Sequence, residues 1–300
     1  MADAMQSPLT AAPQADDASS RAGAAPWKRR VKPLLQHILM IAVAAGFLLP
    51  FYWLIATSLK TDHQVFQIPP AWIPHPLAWW NYPRALHYIP FARYTLNTLT
   101  ICILSVIGAV FSNSLVAYSF ARIQWPGRDA LFVVLLCTLM LPPQVTMIPV
   151  FQVFHWLGWV NTIKPLVIPA FFGNAFFIFL LRQFFLSIPQ ELSEAARLDG
   201  CGELDIYWRV VMPLAKPALT MVALFTFIGA WNDFLNPLIY LGDESKYTLS
   251  LGLQQYVSQH GAEWPLLMAA SAVMTLPIVV LFFFTQKTFV QGITVTGVKG

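Results

Sequence analysis

Six apolar runs, each long enough to cross a bilayer as a helix, alternate with shorter polar segments along this chain. Crossing the hydrocarbon core takes roughly 20 helical residues. The runs fall at about 34–56, 95–120, 130–155, 165–187, 217–240 and 266–289. Of 300 residues, 57% are hydrophobic and only 11% charged, against roughly 25% charged in soluble domains. The pattern predicts an all-α membrane protein with six transmembrane helices.

Basic residues set the orientation of such a protein. Thirteen of the eighteen Lys and Arg residues fall on one side if both termini are cytoplasmic, among them Lys28, Arg29, Arg30, Arg122, Arg128, Arg182, Arg197 and Lys299. The other side holds Lys60, Arg84, Arg93, Lys164 and Lys246. Both termini are therefore expected inside. Residues 1–33 read as a disordered cytoplasmic tail ending in a basic cluster, Trp27 to Lys32. The apolar run that follows is too long for a cleaved signal peptide and reads as an anchor. Residues 34–289 are expected to form a six-helix membrane domain and 290–300 a cytoplasmic tail. A net charge of +4, spread along the chain, points to no nucleic-acid partner. Cys102, Cys137 and Cys201 have neither metal-ligand nor redox spacing.

Between the fourth and fifth runs lies a polar interruption, about residues 188–216, that has to sit in water at a membrane face. Ser187, three residues before Gln190, has capping-box spacing, and Pro189 suits a first helical turn. Asp199-Gly200 is a helix stop, since Gly accepts the left-handed conformation. Leu192, Ala195, Ala196 and Leu198 would form a small apolar patch beside Glu191, Glu194 and Arg197, a surface suited to a partner. Elsewhere, Pro142, Pro143 and Pro149 must bend the third run, which either lines a cavity or is merely kinked. The long loop at about 57–94 carries Trp72, Trp79, Trp80 and Tyr82, either as an interfacial cap or as a docking surface.

The spacing Glu194-Ala195-Ala196, three residues, Gly200, nine residues, then Val210-x-Met212-Pro213 resembles the coupling loop of bacterial ATP-binding-cassette importer permeases. Val210 and Met212 replace the more frequent Ile and Leu without loss of apolar character. Softer matches to the family's sugar branch are Asn81-Tyr82, Tyr94 to Thr98, Pro143-Gln144-Val145, Ile148-Pro149, Leu157-Gly158, Asn161-Thr162, Leu180 to Phe185 and Trp231 to Phe234. The C-terminal Gly297-Val298-Lys299-Gly300 is similar to that of maltose-type permeases.

The resemblance implies the type I importer architecture and a place in the bacterial inner membrane. It also implies a second homologous permease, two cytoplasmic ATPase subunits and an outer sugar-binding protein as partners. Glu194, Ala195, Ala196, Asp199, Gly200 and Pro213 would contact an ATPase, and Gly297 and Lys299 would reach toward it. Asn113, Asn174, Trp231, Asn232 and Asp233 are candidates for the sugar path. For Asp233 a structural hydrogen bond is the competing role. Arg182, near a membrane face, is expected to snorkel to headgroups.

The chain shows no nucleotide fingerprint, no nucleophile elbow and no metal-spaced His, Cys or acid set. It should bind no cofactor, with ATP and Mg used by the partner ATPases, and it is not expected to be an enzyme. An ion-gradient transporter would need intramembrane acids, of which Asp233 is the one candidate. A permease for a non-sugar solute is the other alternative. A membrane glycosyl or phosphoryl transferase would need a loop-borne catalytic set that is absent.

Overall fold

A computed structural model of the chain describes residues 26–258 and 261–297, with side chains described for 34–257 and 261–286. The chain falls into two units, Met1–Tyr52 and Trp53–Gly300. Helix α1 runs from Pro26 to Ser58. Its side chains from 34 to 52 are all exposed, as suits a lipid-facing helix. It begins before residue 33, so the basic cluster expected in the tail lies on helical backbone. Residues 1–25 lie outside the described residues, as do residues 298–300 with Lys299, while the backbone of Gly297 ends the last helix.

The second unit is organised around α4 (Phe91–Arg122). Before it come α2 (Asp62–Val65) and α3 (Asn81–Tyr88). After it come α5 (Arg128–Cys137), α6 (Pro143–Trp156), α7 (Lys164–Val167), α8 (Ala175–Ser187) and α9 (Gln190–Leu198). Then follow α10 (Glu203–Asp205), a π-helical segment Ile206–Val211, α11 (Met212–Leu214), α12 (Lys216–Asn232), α13 (Leu235–Tyr240), α14 (Leu249–Gly252) and α15 (Trp264–Gly297). A two-residue hairpin, β1 (Val257–Ser258) with β2 (Gly261–Ala262), is the small exception to the all-α fold. Four described helical stretches are long and apolar enough to cross a membrane, or six if each of two bent pairs counts as one crossing.

Small side chains let neighbours close on α4, the usual device where apolar lipid gives no driving force for helix association. A Cβ on Gly108 would meet the Phe171 ring at 2.5 Å, so only glycine fits there. Two apolar clusters occupy the two ends of α4. At its C-terminal end Ala117, Phe120 and Ala121 pack with Leu181, Phe185, Ile206 and Val211. At its N-terminal end Tyr94 and Cys102 pack with Trp231, Leu249, Tyr256 and Leu266.

Asparagine side chains stitch the loops at the N-terminal end of α4. Asn81 Nδ2 donates to the carbonyls of Ser58 (2.9 Å) and Lys60 (2.8 Å). Asn97 Nδ2 donates to those of Ser245 and Tyr247, both at 3.0 Å. Asn161, at φ 61, accepts the amides of Gly242 and Asp243 on its side chain. In the long loop Trp72, Trp79 and Trp80 remain exposed, while Lys60 is buried with its ammonium 3.8 Å over the Trp53 ring.

Three helix boundaries differ from the sequence expectation. The third run bends by 100° between α5 and α6. Pro143 forbids α conformation at Pro142, which sits at ψ 133, so the proline pair turns a right angle where a kink was expected. The fifth run is broken at Asp233 and Phe234, ahead of α13. The last helix extends beyond 289 through Gly297, so residues 290–297 are helical and not a free tail.

Candidate functional site

The polar interruption folds as a knob at the C-terminal end of α4. Helix α9 has Glu191 in its first turn and Arg197 in its last, the order that complements the helix dipole. Its start is not the expected capping box. Ser187 closes α8, and its hydroxyl donates to the Phe184 carbonyl (2.7 Å). Pro189 occupies the cap position with extended backbone.

The stop at Asp199-Gly200 is a Schellman motif. Gly200 lies at φ 86, its amide donates to Arg197 O (3.0 Å), and the Cys201 amide donates to Ala196 O (2.9 Å). Ser193 is buried beneath the helix, and Ala196 and Cys201 pack on the adjoining cluster. Glu194, Ala195 and Asp199 are exposed. So are Leu192 and, at 90%, Leu198. The outer face of the knob therefore joins the exposed acids Glu191, Glu194 and Asp199 to uncovered leucines.

Both flanks of the knob are tied to α4. On the entry side Arg122 Nη2 donates to the carbonyls of Phe185 (2.7 Å) and Ile188 (2.6 Å), the first of which also accepts the Ile188 amide that closes α8 (3.3 Å). On the exit side Tyr118 donates to Glu203 Oε2 (2.8 Å), and Glu203 Oε1 accepts from Arg197 Nε (2.9 Å). The guanidinium beside it, and then the tyrosine hydroxyl, hold the Glu203 carboxyl below its ordinary 4.5 against the opposing effect of burial. Deeper in, Tyr207 and Ser114 share a hydrogen bond of 2.7 Å. Pro213 lies in α11 and is exposed. It cannot donate to the carbonyl four residues back, Arg209 O, and the ladder just upstream is widened to π geometry.

Tyr118, Arg122 and Glu203 were not anticipated as site residues. The signal for Tyr118 and Arg122 was the stripe Ser114, Tyr118, Arg122, polar tips repeating every four residues at the end of an apolar helix; Glu203 carries no such signal. Arg182, expected to snorkel, is half-buried with protein partners. Its Nε donates to Phe120 O (3.2 Å), and its guanidinium lies 4.2 Å from the Phe132 ring centroid.

The five candidate path residues do not gather in one place. Asn113 is fully buried. It donates to Ala109 O (2.5 Å) and accepts the Asn174 amide (2.6 Å), so the two asparagines form a bracket. Asn174 in turn caps α8 by accepting the amides of Phe176 and Phe177. Trp231 is buried, with its indole N–H on Met274 O (3.1 Å). Asn232 is exposed and bonds its own helix at Ile228 O (2.9 Å). Asp233 accepts the amide (3.2 Å) and the side chain (2.8 Å) of Asn236, pinning the start of α13. Among the described residues no group of three or more His, Cys, Asp or Glu side chains could hold a metal.

Comparison with known proteins sets this geometry in a family. Residues 113–295 match the model of the binding-protein-dependent transport system inner membrane component. The arabinooligosaccharides transport system permease protein AraQ of Halalkalibacterium halodurans is 32% identical over 283 residues, covering 91% of this chain and 100% of that one. The sn-glycerol-3-phosphate transport system permease protein UgpE of Yersinia enterocolitica is 32% identical over 273 residues, covering 88% and 97%. A crystal structure of a bacterial ABC transporter involved in import of the acidic polysaccharide alginate contains a chain that superposes with a TM-score of 0.77 at 25% identity, covering 88% of this chain and 99% of that one.

Proposed function

We propose, from the premise that this chain belongs to the family of binding-protein-dependent transport system inner membrane components, that it forms half of the membrane path of an ATP-driven sugar importer. As a member it is a multi-pass protein of the bacterial inner membrane with the type I importer fold. It is not an enzyme and binds no nucleotide. ATP is hydrolysed, with Mg, by separate ATPase subunits.

The coupling role rests on the knob. A short helix that leaves three acids and two leucines uncovered, fixed at both flanks, suits insertion into a cleft of an ATPase subunit. In this reading Glu194 meets a basic group of the ATPase, Ala195 allows close approach while Ala196 seats the helix on its own core, and Gly200 and Asp199 end the helix so that it protrudes. Pro213 shapes the segment that returns to the membrane. Closure of the ATPase pair on ATP pushes the knob, and the helices behind it open toward an outer binding protein that delivers sugar. A second, homologous permease completes the path. The N- and C-termini then lie in the cytoplasm, and the tail at Gly297 and Lys299 extends on the ATPase side.

The test is ATP-driven uptake by the reconstituted complex. Glu194→Lys and Gly200→Asp should each abolish uptake while the complex still assembles, and uptake that survives both changes would sink the coupling role. AraQ and the alginate importer support a di- or oligosaccharide as cargo. The similarity to UgpE favours a second reading, a phosphorylated polyol. Competition between a neutral oligosaccharide and glycerol 3-phosphate for binding-protein-dependent uptake separates the two.

A further inference from the structure

We infer that the two broken helices together build a subsite for one neutral sugar ring, walled by Gln144, Thr146, Asn236 and Tyr240. A cavity of about 220 Å³ lies between the first turns of α6 and the whole of α13. Each wall begins where a helix is interrupted, at Leu141-Pro142 and at Asp233-Phe234. Interrupted helices at membrane depth are tolerated where they are buried in protein or line a water-filled path. The remaining lining is proline, methionine, valine and leucine, and no lining side chain is charged.

The hydrogen-bonding capacity of these walls is unspent. Gln144 is exposed, and no described residue pairs with its side-chain amide. An amide left unpaired against hydrocarbon costs several kcal/mol, so this face does not point into lipid. Asn236 gives its side-chain N–H to Asp233, which leaves its carbonyl oxygen to accept. Thr146 donates to Pro143 O (3.0 Å) and keeps its lone pairs. Tyr240 is 4% exposed, with its ring held between Phe151 and Phe154 at centroid distances of 6.0 and 5.4 Å. Tyr240 is among the residues that line the cavity, and its hydroxyl has no hydrogen-bond partner among the described residues.

The set therefore offers an amide with both donor and acceptor, two further acceptors and a hydroxyl able to do either. Vicinal hydroxyls of a neutral sugar present the same mixture. An anion would find no cation in the walls and would face the Asp233 carboxylate behind Asn236. The volume lies below the roughly 300–1,000 Å³ of pockets for drug-sized ligands, which limits the occupant to one ring of a longer chain. The subsite rests on the importer reading above and narrows its cargo toward neutral sugars.

The test uses the full complex held with ATP and vanadate, probed by saturation-transfer NMR with methyl α-glucoside, L-arabinose, galacturonate and glycerol 3-phosphate. At least one neutral probe should bind, and both anions should bind at least about tenfold more weakly. Gln144→Leu and Tyr240→Phe, which leave the aromatic packing in place, should each weaken the neutral probe about tenfold, the loss of one or two hydrogen bonds. Equal binding of the anions, no binding of either neutral probe, or unchanged binding in both variants overturns the subsite. Wild-type vesicles that show no ATP-driven uptake would sink the importer reading instead. Vesicles with intact uptake and indifferent variants sink only the subsite.

Discussion

Gly200 offers the cleanest test of the knob, because its cost on substitution is purely conformational. At φ 86 the residue sits in the left-handed region, and a Cβ added there would meet no heavy atom within 4 Å. Gly200→Ala therefore introduces no clash, only the backbone penalty of an L-residue, roughly 1–2 kcal/mol. That is a factor of about 5–30 in the balance between the closed and frayed helix end. Asn visits the left-handed region with less strain and also ends helices, so Gly200→Asn should cost distinctly less. Hydrogen exchange at the Gly200 and Cys201 amides, which close the motif on Arg197 and Ala196, reads the fraying directly. We expect exchange about tenfold faster in Gly200→Ala, a smaller change in Gly200→Asn, and uptake declining in the same order. Wild-type exchange in Gly200→Ala, or equal damage from Asn and Ala, would refute the argument.

Three further outcomes follow from described contacts. The depressed Glu203 carboxyl contributes stability that is present above its ordinary value of 4.5 and lost as pH falls through the lower folded value; Glu203→Gln should remove that acid limb from thermal melts taken between pH 7 and 3, and an unchanged profile would count against the clamp. Asn113→Leu removes the acceptor of the part-buried Asn174 amide, a loss of about 0.5–1.5 kcal/mol visible as a lowered Tm in detergent; a wild-type Tm would show that the bracket carries no weight. A Cβ on Gly252 would overlap the Tyr94 ring, which is 1% exposed, so Gly252→Ala should reduce the yield of folded protein, and Tyr94→Ala in the same chain should restore part of it. Failure of that rescue would place the damage elsewhere.

Much of the architecture was legible because length and polarity are one-dimensional properties. The crossing runs, the knob and its glycine stop could be read from composition and spacing. Partner choice could not. Lipid and protein interior are equally apolar, so nothing in the local sequence separated the buried Asn113 and Trp231 from side chains facing a path. Asn113, Asn174 and Asp233 have the residue types that bind sugars, yet each spends its side chain on the protein's own backbone, a role that only the fold reveals. The proline pair announced a bend but not its right angle, which comes from Pro142 being forced into extended backbone by Pro143. Conversely, Gln144 was quoted as one letter of a motif, and its free amide emerges only when α13 is brought beside it.

Arg122 and Tyr118 lie one helical turn apart on a single rod, and each grips a different strap of the protruding segment. A handle fastened twice to the same bar does not swivel when gripped. In the coupling role proposed above, a load on Glu194 or Leu198 would reach the Phe91–Arg122 helix through these two side chains and the Ile206–Val211 segment through direct packing.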